Sequence, residues 1–186
     1  MSIPQEPQAA KLVVGLLMKD KALFKPLAEA LSEGLGPLDI VSAWFDFEYT
    51  RYYQPEMGWP LFRRMLVFKP LIRQDGLARV KLTTNAIEQD FQQNGNRRVN
   101  IDPGYLLAER FVLATGKNFA HRIYIGRNIY ADLTLTYKSG SFQTLPWTYP
   151  DYAESSMLTF LEQVRTKYIL DKKGHMYSPD NIRKNR

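Results

Sequence analysis

The sequence predicts an α+β domain: a ferredoxin-like βαββαβ core, an added antiparallel β-meander and a C-terminal helix. Three observations carry this. The first hundred residues alternate period-2 and period-3.6 apolar patterns in the order β-α-β-β-α-β, the split-βαβ pattern. The next forty carry closely spaced β-like runs separated by turn signals. A single helical stripe then follows residue 151.

Residues 1–10 are rich in Pro and Gln and read as a disordered lead-in to one domain over 11–170. The run LVVGLLM at 12–18 has the continuous apolar character of a buried central strand. Asp20 is placed to cap a helix that carries Leu23, Leu27, Ala30 and Leu31; Pro26 fits only its first turn, and Gly34 and Gly36-Pro37 end it. Residues 38–48 alternate as one strand, with Val41, Ala43, Phe45 and Phe47 on one face. After an aromatic connection at 50–60, residues 61–68 are β-like again. Leu77, Val80, Thr84, Ile87 and Phe91 recur at helical spacing, and QQNGN stops that helix. Residues 97–102 form a short strand that Pro103-Gly104 closes. Residues 110–115, 121–125 and 128–137 read as successive meander strands. Asp151, with Glu154 three residues on, reads as a capping box for a helix whose buried stripe is Met157, Phe160, Leu161, Val164 and Tyr168. Residues 171–186 read as a basic flexible tail.

Composition bounds the function. The 186 residues are 45% hydrophobic and 24% charged, enough to bury a core without covalent staples. The absence of cysteine excludes disulfides, Cys-based zinc and iron–sulfur sites and a thiol nucleophile. The polar N-terminus has no signal-peptide core and no run approaches a membrane span, so a cytoplasmic protein without membrane contact is expected. The net charge of +6 divides into +5 from residue 165 onward and +1 for the body, which argues against a nucleic-acid-binding face. GxxxxGKS/T, GxSxG and a placed GxGxxG are missing, and two histidines cannot build a multi-His metal site.

Three segments could carry a site. In FDFEYTRYYQPEMG, Asp46, Glu48 and Glu56 could hold a hard divalent cation such as Mg²⁺ or do acid–base work, with Tyr52 and Tyr53 nearby. Equally, Asp46 and Glu48 could pair with Arg63 or Arg64 on the next strand. In RRVNIDPGY, Asn100 and Asp102 share a face, and Asp102 stands where a strand end presents a catalytic aspartate or where an ordinary turn begins. An ideal four-stranded core would hold Asp46 and Asp102 roughly 14 Å apart with an arginine between them, too far for one metal but within reach of one larger substrate. In TGKNFAHRIYIGRN, Lys117 could cradle an anion and Arg122 shares a face with Tyr124, while His121 falls on the apolar parity of a structural histidine. Asn85 and Glu88 are neighbours on their helix, either solvated or facing the 50–60 loop. WTYPDY at 147–152 is either a stacking platform or an anchor for the last helix.

The stretches KLVVGLLM, GPLDIVSAWFDFEYTRYYQPEMG, KLTTNAIE, RRVNIDPGYL, FVLATGK, HRIYIGRNIYADLTL and WTYPDY together resemble a bacterial family catalogued as a domain of unknown function. Its members are sometimes labelled "GTP-binding protein". The likeness covers most of residues 11–152 and brings no catalytic role with it. Neither a phosphate loop nor an N/TKxD base-reading motif is present, so a GTP site would be of another kind.

The expected function is binding or conversion of a small anionic molecule, a nucleotide or phosphorylated metabolite. Asp46, Glu48, Glu56 and Asp102 would be its catalytic carboxylates. Tyr52, Tyr53, Arg63, Arg64, Asn100, Lys117, His121 and Arg122 would be its ligand contacts. The alternative is a non-catalytic protein- or RNA-interaction domain whose surface is built from Trp44, Tyr52, Tyr53, Trp147 and Tyr149.

Overall fold

The apolar run at the start of the chain becomes β1 (Ala10–Met18), buried along its whole length at the middle of one large antiparallel sheet. The structure, a computed structural model, describes residues 1–176; most of the expected basic tail lies outside the described residues. Residues 1–9 have no regular structure, but they are tied at their end: the Tyr168 hydroxyl donates to the Ala9 carbonyl at 2.8 Å.

Asp20 does cap, accepting from the Ala22 amide at 2.9 Å and opening a 3₁₀ turn that leads into α1 (Phe24–Leu35). The strand expected over 38–48 is two strands, β2 (Leu38–Val41) and β3 (Phe45–Phe47), both paired with the same long β4 (Leu61–Ile72). The break has a local cause. The Ser42 hydroxyl accepts from the Met65 amide at 2.9 Å, and Arg64 Nε donates to the Ser42 carbonyl, so side chains replace ladder bonds there. Between β3 and β4 lies a single helical turn, α2 (Gln54–Met57).

β4 leads through a 3₁₀ turn into α3 (Leu77–Asp90), and then into β5 (Val99–Leu106). Pro103-Gly104 does not close this strand. Pro103 stands opposite Val14 on the same parity as Ile101, whose backbone points away from β1, so its missing N–H interrupts no β1 ladder bond. The sheet continues with β6 (Arg110–Thr115), β7 (Arg122–Tyr124), β8 (Tyr130–Lys138) and β9 (Ser141–Thr144). These are not a simple meander. β6 pairs with β8 along one side, while β7 and β9 pair with the two ends of its other side. The full order is β2-β4-β1-β5-β6-β8-β7, with β3 beside β4 and β9 beside β8.

α4 (Pro150–Ala153) is one turn, separated from α5 (Ser155–Met176) by an extended Glu154. The expected capping box is therefore broken, and Asp151 serves an ion pair instead. The predicted stripe Met157, Phe160, Leu161, Val164 and Tyr168 is buried. α1 and α3 cover one face of the sheet over Leu12, Val14, Leu16, Leu66 and Phe68; α5 covers the other over Val13, Met65 and Val67. Fully buried Lys11 fastens α5 to β1 and β2, 2.7 Å from both Asp39 and Asp171. Among the described residues no helix is long and apolar enough to cross a membrane.

Candidate functional site

β5 pairs with β6 only over Gly104–Leu113, Tyr105–Val112 and Leu106–Phe111. Beyond those pairs the strands diverge, and the sheet forks. Gly104 makes the last contact possible: a Cβ there would lie 2.4 Å from the Val112 carbonyl oxygen. Past the fork Ile101 has a backbone N–H and C=O with no strand to meet. α3 supplies both partners. Glu88 Oε1 accepts from the Ile101 amide at 2.5 Å, and Lys81 Nζ donates to the Ile101 carbonyl at 2.7 Å. Two charged side chains thus stand in for a missing strand, as buried backbone groups require.

The fork encloses a cavity of about 690 Å³. A chain of contacts closes around it. Arg122 Nη2 donates to the Tyr149 hydroxyl at 2.7 Å and Nη1 to the Lys117 carbonyl at 3.0 Å. Lys117 Nζ donates to the Tyr52 hydroxyl at 3.0 Å, and the rings of Tyr52 and Tyr53 meet edge to face at 5.0 Å. Arg97 lies over Tyr53 and donates to Asn100 Oδ1 at 3.2 Å; Asn100 in turn donates to Asp102 Oδ2 at 2.8 Å. Asp102 lies 3.7 Å from Arg63, which reaches Asp151 at 2.8 Å and the Tyr152 hydroxyl at 3.2 Å. The short segment through Pro150 returns to Tyr149.

Arg63 can cross from β4 to Asp102 on β5 because Gly15 lies between them on β1. A Cβ at Gly15 would sit 2.8 Å from both Arg63 Nη1 and the Tyr152 oxygen. The Arg63–Asp151 contact is held by charge; its N–H is not aligned for a hydrogen bond. Burial disfavours the Arg63 charge, but the Tyr152 oxygen, Asp151 and Asp102 outweigh it and raise the pKa. Burial pushes the Asp151 carboxyl and the Tyr53 and Tyr152 phenols up, and Glu88 likewise. The hydrogen bonds from Arg97 hold Glu56 below the usual carboxylate range.

Of the residues expected from sequence, Tyr52, Tyr53, Arg63, Asn100, Asp102, Lys117 and Arg122 line this cavity. The others do not. Asp46 is exposed and stands opposite Phe62, so it pairs with neither arginine. Glu48 is exposed, and Glu56 is engaged by Arg97 outside the cavity lining. The three carboxylates proposed to hold a cation stand apart, and among the described residues no three acidic or histidine side chains converge for one. Arg64 points to the opposite sheet face and stacks 4.0 Å over Phe24 and 4.7 Å over Trp44. His121 stacks on Trp147 with ring centroids 4.8 Å apart and contacts buried Asp132 at 3.2 Å, as a structural histidine does. Asn85 and Glu88 face the cavity together with Thr50, so the loop-facing alternative describes them.

Sequence reasoning missed Lys81 and Arg97. Lys81 left a signal: it falls on the buried helix face with Leu77 and Thr84, where a lysine needs a purpose. Arg97 left none beyond its charge.

A family model described as "Domain of unknown function (DUF4416)" matches residues 8–168, and the chain belongs to that family. No curated protein and no solved structure matches it.

Proposed function

We propose that the fork cavity binds a small anionic molecule, a nucleotide or a phosphorylated metabolite. One observation carries this reading. Lys117, a cation that lines the cavity, forms no ion pair among the described residues; it is held by a phenol, which leaves its charge uncompensated at contact distance. The volume suits a metabolite-sized guest, since such sites span roughly 300–1,000 Å³. Tyr52 and Tyr149 add flat apolar faces for a ring. Conversion of the ligand would fall to Asp102, which alone among the four expected catalytic carboxylates lines the cavity, with Arg63 and Asn100 fixing its orientation. The order β2-β4-β1-β5 with α1 and α3 on one face supports reading the first half as a ferredoxin-like core.

A thermal-shift screen against nucleotides (GTP included) and phosphorylated metabolites, with and without Mg²⁺, tests the reading. A ligand at about a hundred times its Kd adds roughly 2.7 kcal/mol, a shift of a few degrees. The shift should shrink or vanish in Asn85→Trp, whose indole would intrude into the cavity from α3. A shift undiminished in that variant places the ligand elsewhere and overturns the proposal.

A second reading, a protein-binding surface, draws on Phe119, Ile123 and Tyr124, which are 65%, 67% and 58% exposed at edge strand β7. The five aromatics expected to form one surface do not support it, because Trp44 packs on the α1 side while Tyr52, Tyr53 and Tyr149 line the cavity. A pull-down that loses its partner with Ile123→Lys would favour this second reading.

A further inference from the structure

This inference rests on the cavity being an anion site, and concerns where in it the anion sits. We propose that a phosphate monoester binds with its phosphate at the rim formed by Lys117 and Arg122, displacing the Tyr52 hydroxyl from the Lys117 ammonium, so that Tyr52 is a built-in competitor for the phosphate's place. The two cations come from one connection and its following strand, and the backbone joins them: Arg122 Nη1 donates to the carbonyl of Lys117 itself. The Arg122 side chain is only 10% exposed and is oriented by Asp132, Lys117 and Tyr149. Its guanidinium is thus pre-positioned beside the Lys117 backbone, with its charge shared with Asp132.

Lys117 is the exposed half of the pair. Its ammonium rests against a neutral phenol oxygen of Tyr52, itself 60% exposed. A phosphate oxygen is a stronger acceptor than a neutral phenol, so exchange favours the phosphate. The Lys117 contact already pulls the Tyr52 phenol below its ordinary pKa, which means that the rim favours negative charge on oxygen at that point. Asp132, the carboxylate that Arg122 contacts, is shared with His121. Among the described residues that line the cavity, Lys117 is the cation with neither a carboxylate nor a buried backbone carbonyl to hold: Arg122 pairs with Asp132, Arg97 with Glu56, Arg63 with Asp151 and Asp102, and Lys81 holds the Ile101 carbonyl beside Glu88.

Isothermal titration of the full chain with inorganic phosphate and with AMP tests this. Lys117→Met should weaken both by about tenfold or more, the loss of one charge-assisted contact, and Lys117→Arg should largely restore them. Tyr52→Phe should tighten both by about two- to fivefold, because the competing oxygen is gone. All of these residues are at the rim, so the variants remain folded, which their unchanged melting without ligand would verify. Unchanged binding in Lys117→Met, or weaker binding in Tyr52→Phe, overturns the assignment. So does a wild-type protein that binds neither probe. The cavity reading is judged separately, by the Asn85→Trp thermal shift.

Discussion

The sheet behaves differently on the two sides of β5. Toward β1 and β4 the pairing runs the length of the strands, with one shift of register between Lys11 and Val13: β1 is matched to β4 at eight positions and to β5 at eight. Toward β6 the match lasts three positions and then opens. Between β1 and its two neighbours, backbone satisfies backbone, and most of the side chains are apolar. In the open part, side chains must satisfy backbone, so Lys81 and Glu88 are spent on Ile101, and polar side chains stand among the walls that remain. A fork in a sheet therefore makes a site of this kind as a physical consequence, because buried polar groups demand partners.

The strongest way to break the contrast is Arg63→Met. It keeps the volume but leaves Asp151 buried beside Tyr152 without its cation, and breaking a buried pair costs about 3–5 kcal/mol. Chemical denaturation should find a loss of that size at neutral pH. Arg64→Met, one residue along, should cost far less, because Arg64 stacks on Phe24 and Trp44 at a partly exposed position and has no ion pair among the described residues.

A smaller effect separates charge from hydrogen bonding at the fork. Glu88→Ala removes the acceptor for the Ile101 amide and should cost about 1–3 kcal/mol. Glu88→Gln keeps an acceptor and removes a carboxyl whose charged form burial disfavours, so its cost should stay under about 1 kcal/mol. Equal losses in the two variants would mean that the ion, and not the missing strand, is what α3 provides.

The smallest effect is pH-dependent. Glu56 has a lowered pKa in the folded chain, so the unfolded chain binds the proton first on acidification. Its contribution is present above the ordinary glutamate range and is lost as pH falls through that range and below. Glu56→Gln should remove about 1 kcal/mol of stability at pH 7 and flatten the acid limb of a stability–pH curve. A curve identical to wild type would show that the Arg97 pair contributes nothing.

Much of the chain was legible because local pattern and final environment agree. The apolar run of β1, the Asp20 cap and the α5 stripe each follow from spacing alone, since each depends on neighbours within one element. The failures share a cause. Pro103-Gly104 reads as a stop, yet the strand runs through it, because the Pro103 nitrogen faces a gap that only the pairing register creates. Asp151 and Glu154 read as a cap, yet Asp151 is held by an arginine 88 positions away in sequence.

By itself, the sequence determined which residue types could do chemistry, that no thiol or multi-His centre was available, and that a basic, tyrosine-rich set clusters in three segments. Tertiary structure alone decided which of them meet. Arg63 and Arg64 differ by one position, but the two-residue period of a strand sends them to opposite faces. Gly15 then lets Arg63 reach Asp102 across β1. Asp46, Glu48 and Glu56 lie close in sequence and apart in space, because the chain turns through β3 and α2 between them. Proximity in a cavity is set by parity, which each strand carries in itself, and by register and the place where a sheet forks, which are properties of pairings between segments that no single segment encodes.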